Sequence, residues 1–98
     1  MKYFLLEWIY TASLEEIEAA TPQHRVYLQT GYDTGMLLLS GPQIPRTGGV
    51  IIMRAASRED AEAFAHADPY FTLKVAKARL VEFNPVKRQP FLEEWVNG

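Results

Sequence analysis

Two imidazoles and one well-placed carboxylate are the residues of this sequence best suited to proton chemistry: His24, His66 and Asp68. An imidazole works as a general acid or base because its proton exchanges near neutral pH. A carboxylate that accepts from one ring nitrogen fixes which tautomer the other presents. Each residue also has a structural role open to it. His24 can be a partly buried core histidine, His66 can complete a helix end, and Asp68-Pro69 can start a turn whose carboxylate binds nearby backbone N–H groups. Ser40 lies in Ser40-Gly41-Pro42, which lacks the setting of a nucleophile elbow, so it reads as a turn residue or a ligand hydrogen-bonding group. His24, His66 and Asp68 lack metal-ligand spacing, and no metal is expected. With no cysteine in the chain, thiol nucleophiles, disulfides and cysteine-held metals are excluded. Gly41 and the Gly48-Gly49 pair stand beside β-structure rather than at a strand-to-helix turn. They read as turns and not as a phosphate loop, and no cofactor is expected.

The elements that must position these groups follow from periodicity. Lys2 to Tyr10 alternates Phe4, Leu6, Trp8 and Tyr10 on one face with Tyr3, Leu5, Glu7 and Ile9 on the other, a strand apolar on both sides. Ser13-Leu14-Glu15-Glu16 has capping-box spacing and starts a helix. Thr21-Pro22 repeats a start signal, so the helical region is expected to be kinked or split near Pro22. Leu14, Ile17, Thr21, His24 and Leu28 share one stripe, which turns His24 inward and leaves Arg25 at its edge. Gly31 is the expected stop. A second strand is predicted from Gly35 through Met36 to Leu39, ending at Ser40-Gly41-Pro42, and a third over Val50 to Met53. Ser57-Arg58-Glu59-Asp60 opens a second helix with Ala61, Phe64 and Ala65 on its apolar side, and Asp68-Pro69 ends it. Val75 to Phe83 is the fourth strand. Lys77 and Arg79 lie on one of its faces, and Ala76, Ala78 and Leu80 on the other.

The order βαββαβ predicts an α+β, ferredoxin-like fold: a four-stranded antiparallel sheet with both helices on one face. The whole sequence is 98 residues and 48% hydrophobic, enough for one domain. Domain boundaries are expected at 1–84, followed by a tail over 85–98 whose Pro90, Phe91, Leu92 and Trp95 pack on the domain or on a partner subunit. Strands apolar at both parities imply that the second sheet face is also covered, and a second copy of the chain is the simplest cover. A homodimer with sheets face to face is therefore expected. Ten basic against twelve acidic residues give no cationic field for nucleic acid or anionic lipid, so neither is an expected partner. No apolar run approaches the roughly 18–20 residues of a membrane span, and the N-terminus reads as a strand rather than a signal peptide. A soluble, cytoplasmic protein is expected.

Several short segments, taken in order, resemble the YciI (YCII-related) family. They are Gln23-His24 with Tyr27-Leu28, Gly35-Met36-Leu37-Leu38 leading to Ser40-Gly41-Pro42, Gly49, Asp60-Ala61-Glu62-Ala63-Phe64, and Asp68-Pro69-Tyr70. The resemblance spans most of Lys2 to Phe83. That family is similar in fold to the dimeric α+β barrels, which include muconolactone isomerases and small monooxygenases. The resemblance implies the same ferredoxin-like dimer, an active-site pair on His24 and Asp68, and an activity related to dehydrochlorination of a chlorinated hydroxyhydroquinone. The sequence departs from the family pattern at Thr21, where an arginine often stands, at Lys74, where glycine is frequent, and at Phe83-Asn84, which replaces Pro-Phe.

Together these features predict a small enzyme with His24 as general acid/base and Asp68 as its orienting carboxylate. Its expected chemistry is proton transfer with elimination or isomerisation of a small cyclic or aromatic molecule. Ser40, Gly41, Pro42 and Tyr70 are the expected ligand contacts. Tyr3, Trp8 and Tyr27 are further candidates to line the pocket, and Lys77 or Arg79 to supply a positive charge. The alternative is a non-catalytic ligand-binding or accessory module in which the same pair only holds a helix to a loop. A cofactor-free monooxygenase is permitted by the fold but supported by no residue.

Overall fold

The computed structural model describes residues 1–97. Strand β1 (Lys2–Tyr10) lies inside a four-stranded antiparallel sheet of order β2-β3-β1-β4, with β2 spanning Leu37–Pro42, β3 Gly48–Ala55 and β4 Ala76–Phe83. Phe4, Leu6 and Trp8 of β1 are fully buried beneath the helices and stand opposite Met53, Ile51 and Gly49 of β3. On β4, Ala76, Ala78 and Leu80 share that face, while Lys77 and Arg79 project to the other. The expected α+β, ferredoxin-like arrangement is the one observed.

Helix α1 (Leu14–Asp33) starts where Ser13 accepts the N–H of Glu16 at 3.2 Å. It is one helix and is not split at Pro22. A proline inside a helix frees the carbonyl four residues back. Here that residue, Glu18, is exposed, as is Pro22, so the freed carbonyl lies on the solvent side of the helix. Thr21, Ile17, His24, Leu28 and Gly31 form the buried stripe. Gly31 is not the stop that its type suggests. It faces Leu37 and Phe64 so closely that a Cβ would lie 2.7 Å from Leu37 Cγ, and the helix runs on to Asp33. The left-handed residue that turns the chain out of α1 is Gly35, with φ +78°.

Two further differences from the expected elements have physical causes. Ser40-Gly41-Pro42 and Gly48-Gly49 are paired strand rather than turn: Gly41 stands opposite Val50 and Pro42 opposite Gly49. Pairing across the sheet overrides the low strand preference of glycine. Helix α2 (Arg58–His66) ends before Asp68, and Asp68 then caps a separate short helix, α3 (Pro69–Thr72), which periodicity is too short to reveal. The tail forms a 3₁₀ turn over Pro90–Leu92 and a last helix, α4 (Glu93–Asn97), against its own sheet. Trp95 packs on Tyr3 with ring centres 5.5 Å apart and donates its indole N–H to the Gly35 carbonyl at 2.9 Å. Arg54 donates to the Trp95 carbonyl at 2.6 Å and to the Gly35 carbonyl at 3.0 Å, and the Tyr3 hydroxyl donates to the Val96 carbonyl. No helix among the described residues is long and apolar enough to cross a membrane.

Candidate active site

The inward stripe of α1 presents His24 to the start of α3, where Asp68 waits. His24 Nδ1 lies 2.9 and 2.8 Å from the two carboxylate oxygens of Asp68. Asp68 is 0% exposed and His24 9%. The same carboxylate accepts the Tyr70 backbone N–H at 2.8 Å, so one side chain both caps α3 and engages the imidazole. Capping by aspartate at this position is favoured because its oxygen satisfies a free helical N–H. The Tyr70 ring then stacks on His24, with centres 3.8 Å apart and planes 6° from parallel. Its far end is anchored as well. Thr21 gives its hydroxyl proton to the Ile17 carbonyl at 2.7 Å, which leaves its oxygen to accept from the Tyr70 hydroxyl at 2.7 Å. Trp8 meets both rings edge-on, at 6.5 Å from His24 and 5.9 Å from Tyr70. The imidazole is thus held in its plane by stacking and at one nitrogen by a carboxylate.

A cavity of about 290 Å³ opens beside this group. It lies where the sheet runs short of side chains, with Gly49 opposite Trp8 and Gly41 on the next strand. His24, Ser40, Gly41, Pro42 and Tyr70 all line it. Asp68 lies behind His24 and is not part of the wall. Ser40 reaches the wall from the helix-facing side of β2, and its hydroxyl is 2.6 Å from that of Tyr32. Of the aromatic candidates, Trp8 and Tyr70 line the cavity. Tyr3 belongs to the opposite sheet face with Trp95, and Tyr27 packs on Phe64 and donates to its carbonyl at 2.7 Å. His66 stacks on Phe71 at 4.3 Å, away from this wall. Lys77 and Arg79 supply no charge here, because register turns them to the other face, where Arg79 pairs with Glu7 at 3.4 Å.

The cations in the wall are instead Arg25 and Arg46. Arg46 comes from the β2–β3 loop and has no periodic signature. The only hint in the sequence is that it is the single basic residue between two strands bordering the histidine helix. Tyr10 also joins the wall from the end of β1. Its hydroxyl favours the charged form of Arg46, whose guanidinium is held above its ordinary range despite some burial. Burial raises the Tyr70 phenol above its ordinary value. Among the described residues no group of three or more metal-ligating side chains occurs.

Helices packed on one face of an antiparallel sheet of order β2-β3-β1-β4 define an α+β protein of the ferredoxin-like fold class. The chain belongs to the YCII-related family: the model of the YCII-related domain matches residues 1–84. Among solved structures it is similar to 5-chloro-2-hydroxyhydroquinone dehydrochlorinase (TftG) from Burkholderia phenoliruptrix AC1100, in complex with 2,5-dihydroxybenzoquinone. That likeness has a TM-score of 0.72 and 18% identity, over 86% of this chain and 94% of the other. At that identity it speaks for the fold. No curated protein matches the chain.

Proposed function

We propose that this chain is a small enzyme in which the His24–Asp68 pair moves a proton during elimination or isomerisation of a small cyclic or aromatic molecule. The observation that carries the reading is the imidazole itself, held at Nδ1 by both oxygens of a fully buried carboxylate while its ring forms part of a cavity wall. With the Nδ1 proton donated to Asp68, Nε2 holds the free lone pair that a general base needs. The imidazolium formed on proton uptake is stabilised by the carboxylate already in place. A cavity of about 290 Å³ suits a single ring. Ser40, Gly41, Pro42 and Tyr70 are the ligand contacts of this reading.

The dehydrochlorinase of similar fold supports elimination as the reaction type. On a chlorinated hydroquinone, one hydroxyl proton moves to the ring carbon bearing chlorine and a second hydroxyl proton is taken by the base. Chloride then leaves with the C–Cl electron pair. The product is the substrate less HCl, with no outside oxidant. One observation favours a non-catalytic ligand-binding module instead: the same Asp68 contacts tie α1 to α3 and would be kept for that alone.

Turnover separates the two readings. The protein is incubated with 5-chloro-2-hydroxyhydroquinone and a panel of halogenated and hydroxylated rings, following chloride release and quinone absorbance. Loss of about 10²–10⁴-fold in rate for His24→Gln and Asp68→Asn, with folding intact, is the expected result. Unchanged turnover in both variants refutes the catalytic role, and ring binding without turnover of any compound favours the module.

We also propose that the chain pairs with a second copy through the sheet face opposite α1 and α2, beside the patch that α4 covers. Leu39, Ile9 and Phe83 are 55%, 42% and 40% exposed there, with Leu5, Val50, Ile52 and Val81 between them. Sedimentation at micromolar concentration is expected to give twice the 11.2 kDa chain mass, and a species of 11.2 kDa refutes the pairing.

A further inference from the structure

The cavity wall is more positive than the protein around it. The chain has a formal net charge of −2, yet Arg25 and Arg46 line the cavity together and no Asp or Glu does. The nearest carboxylates are engaged elsewhere or stand off. Asp68 lies behind His24 and is occupied by its Nδ1. Glu18 approaches Arg46 only to 3.7 Å, from a side chain 64% exposed. An ion pair that open contributes little, so it leaves most of the pairing capacity of Arg46 for a ligand.

A wall that carries cations and no carboxylate complements an acceptor-rich, anionic ligand. The loop that carries Arg46 is tied down at its base. Tyr10 donates its backbone N–H to the Thr47 carbonyl at 3.1 Å, and Gln43 donates to the Gly48 carbonyl at 2.8 Å. The guanidinium is therefore delivered from a fastened loop.

We propose that the ligand of this cavity is a ring bearing a negative charge, a carboxylate or an ionised ring hydroxyl, and that Arg46 reads that charge. The inference rests on the proposed function for placing the ring beside His24. The charge recognition itself is measured without turnover.

The test is calorimetric titration of the full chain with 2,5-dihydroxybenzoate and with its neutral counterpart 2,5-dihydroxybenzamide. Wild type is expected to bind the acid at least about 10-fold more tightly than the amide at low salt, with the gap shrinking as salt screens the charges. Arg46→Gln is expected to close the gap and leave amide affinity in place. Arg46→Lys should keep part of it, because the charge remains while the planar fork is lost. Glu18→Gln should widen it by removing the competing carboxylate.

Equal binding of acid and amide by wild type, binding of neither, or a gap that survives Arg46→Gln overturns the inference. The gap is read from binding alone, and the chemistry from chloride release. Failure of the proposed chemistry therefore appears as a gap without turnover, and failure of this inference as turnover without a gap.

Discussion

Removing His24 leaves a carboxylate stranded in the protein interior, and the size of that effect can be worked from the geometry. Asp68 is 0% exposed and is met by His24 Nδ1 at 2.9 and 2.8 Å and by the Tyr70 N–H at 2.8 Å. In His24→Ala only the Tyr70 donor remains, and breaking a buried pair from one side costs about 3–5 kcal/mol. Asp68→Asn is milder. Its amide oxygen can still accept from Tyr70, but its NH₂ then stands where the second oxygen faced Nδ1, which drives the imidazole proton to Nε2. Loss of the charge-assisted bonds costs about 1.5–3 kcal/mol. The double variant has neither a buried charge nor a tautomer conflict, so its cost should fall short of the sum of the singles by about 2 kcal/mol or more. Urea unfolding followed by tryptophan fluorescence, to which Trp8 beside His24 and Trp95 on the tail both contribute, measures all three. For a domain of this size, about 3 kcal/mol also lowers Tm by roughly 12 °C or more. Costs that add to within about 0.5 kcal/mol refute the pairing as an energetic unit.

Other consequences can be checked with the same unfolding assay. Lys74 holds φ +59°, a conformation that suits glycine, so Lys74→Gly should stabilise the fold by about 0.5–1 kcal/mol; a lower urea midpoint contradicts this. Gly31→Ala forces a Cβ to within 2.7 Å of Leu37 Cγ and 3.0 Å of Phe64 Cζ and should cost about 1–3 kcal/mol, whereas an unchanged midpoint means that the α1–β2 approach is looser than described. Burial raises the phenols of Tyr27 and Tyr70 above 10.0, with the Asp68 carboxylate adding to the effect at Tyr27. The unfolded chain releases these protons first, so stability is held below pH 10.0 and lost as pH climbs from there toward the raised folded values. Tyr70→Phe should flatten that alkaline decline, and a midpoint indifferent to pH above 10.0 refutes the assignment.

Much of the architecture is legible in side-chain periodicity because periodicity reports which face a residue buries. The alternation in Lys2 to Tyr10 places Phe4, Leu6 and Trp8 inward, and helical spacing places His24 on the same side as Ile17 and Leu28. What spacing does not carry is contact between distant segments. His24 and Asp68 are 44 residues apart, and their contact depends on α3, a helix of four residues formed around the Asp68 cap. Gly48-Gly49 looks like a turn by residue type and becomes strand through its pairing with β1 and β2. Pro22 looks like a break and is tolerated because the carbonyl it frees faces water. Arg46 is the hardest to foresee, since a loop has no period and only its fastening to Tyr10 brings the guanidinium into the wall.

Because Asp68 grips both the Tyr70 amide and the His24 ring, ordering of the α3 turn and alignment of the imidazole are a single event. Any transient opening of the segment from Asp68 to Lys74 frees the ring at the same moment that it exposes the Tyr70 amide. Hydrogen exchange at that amide is therefore a clock for the site: its protection reports the fraction of time the imidazole is held in register, with no substrate needed.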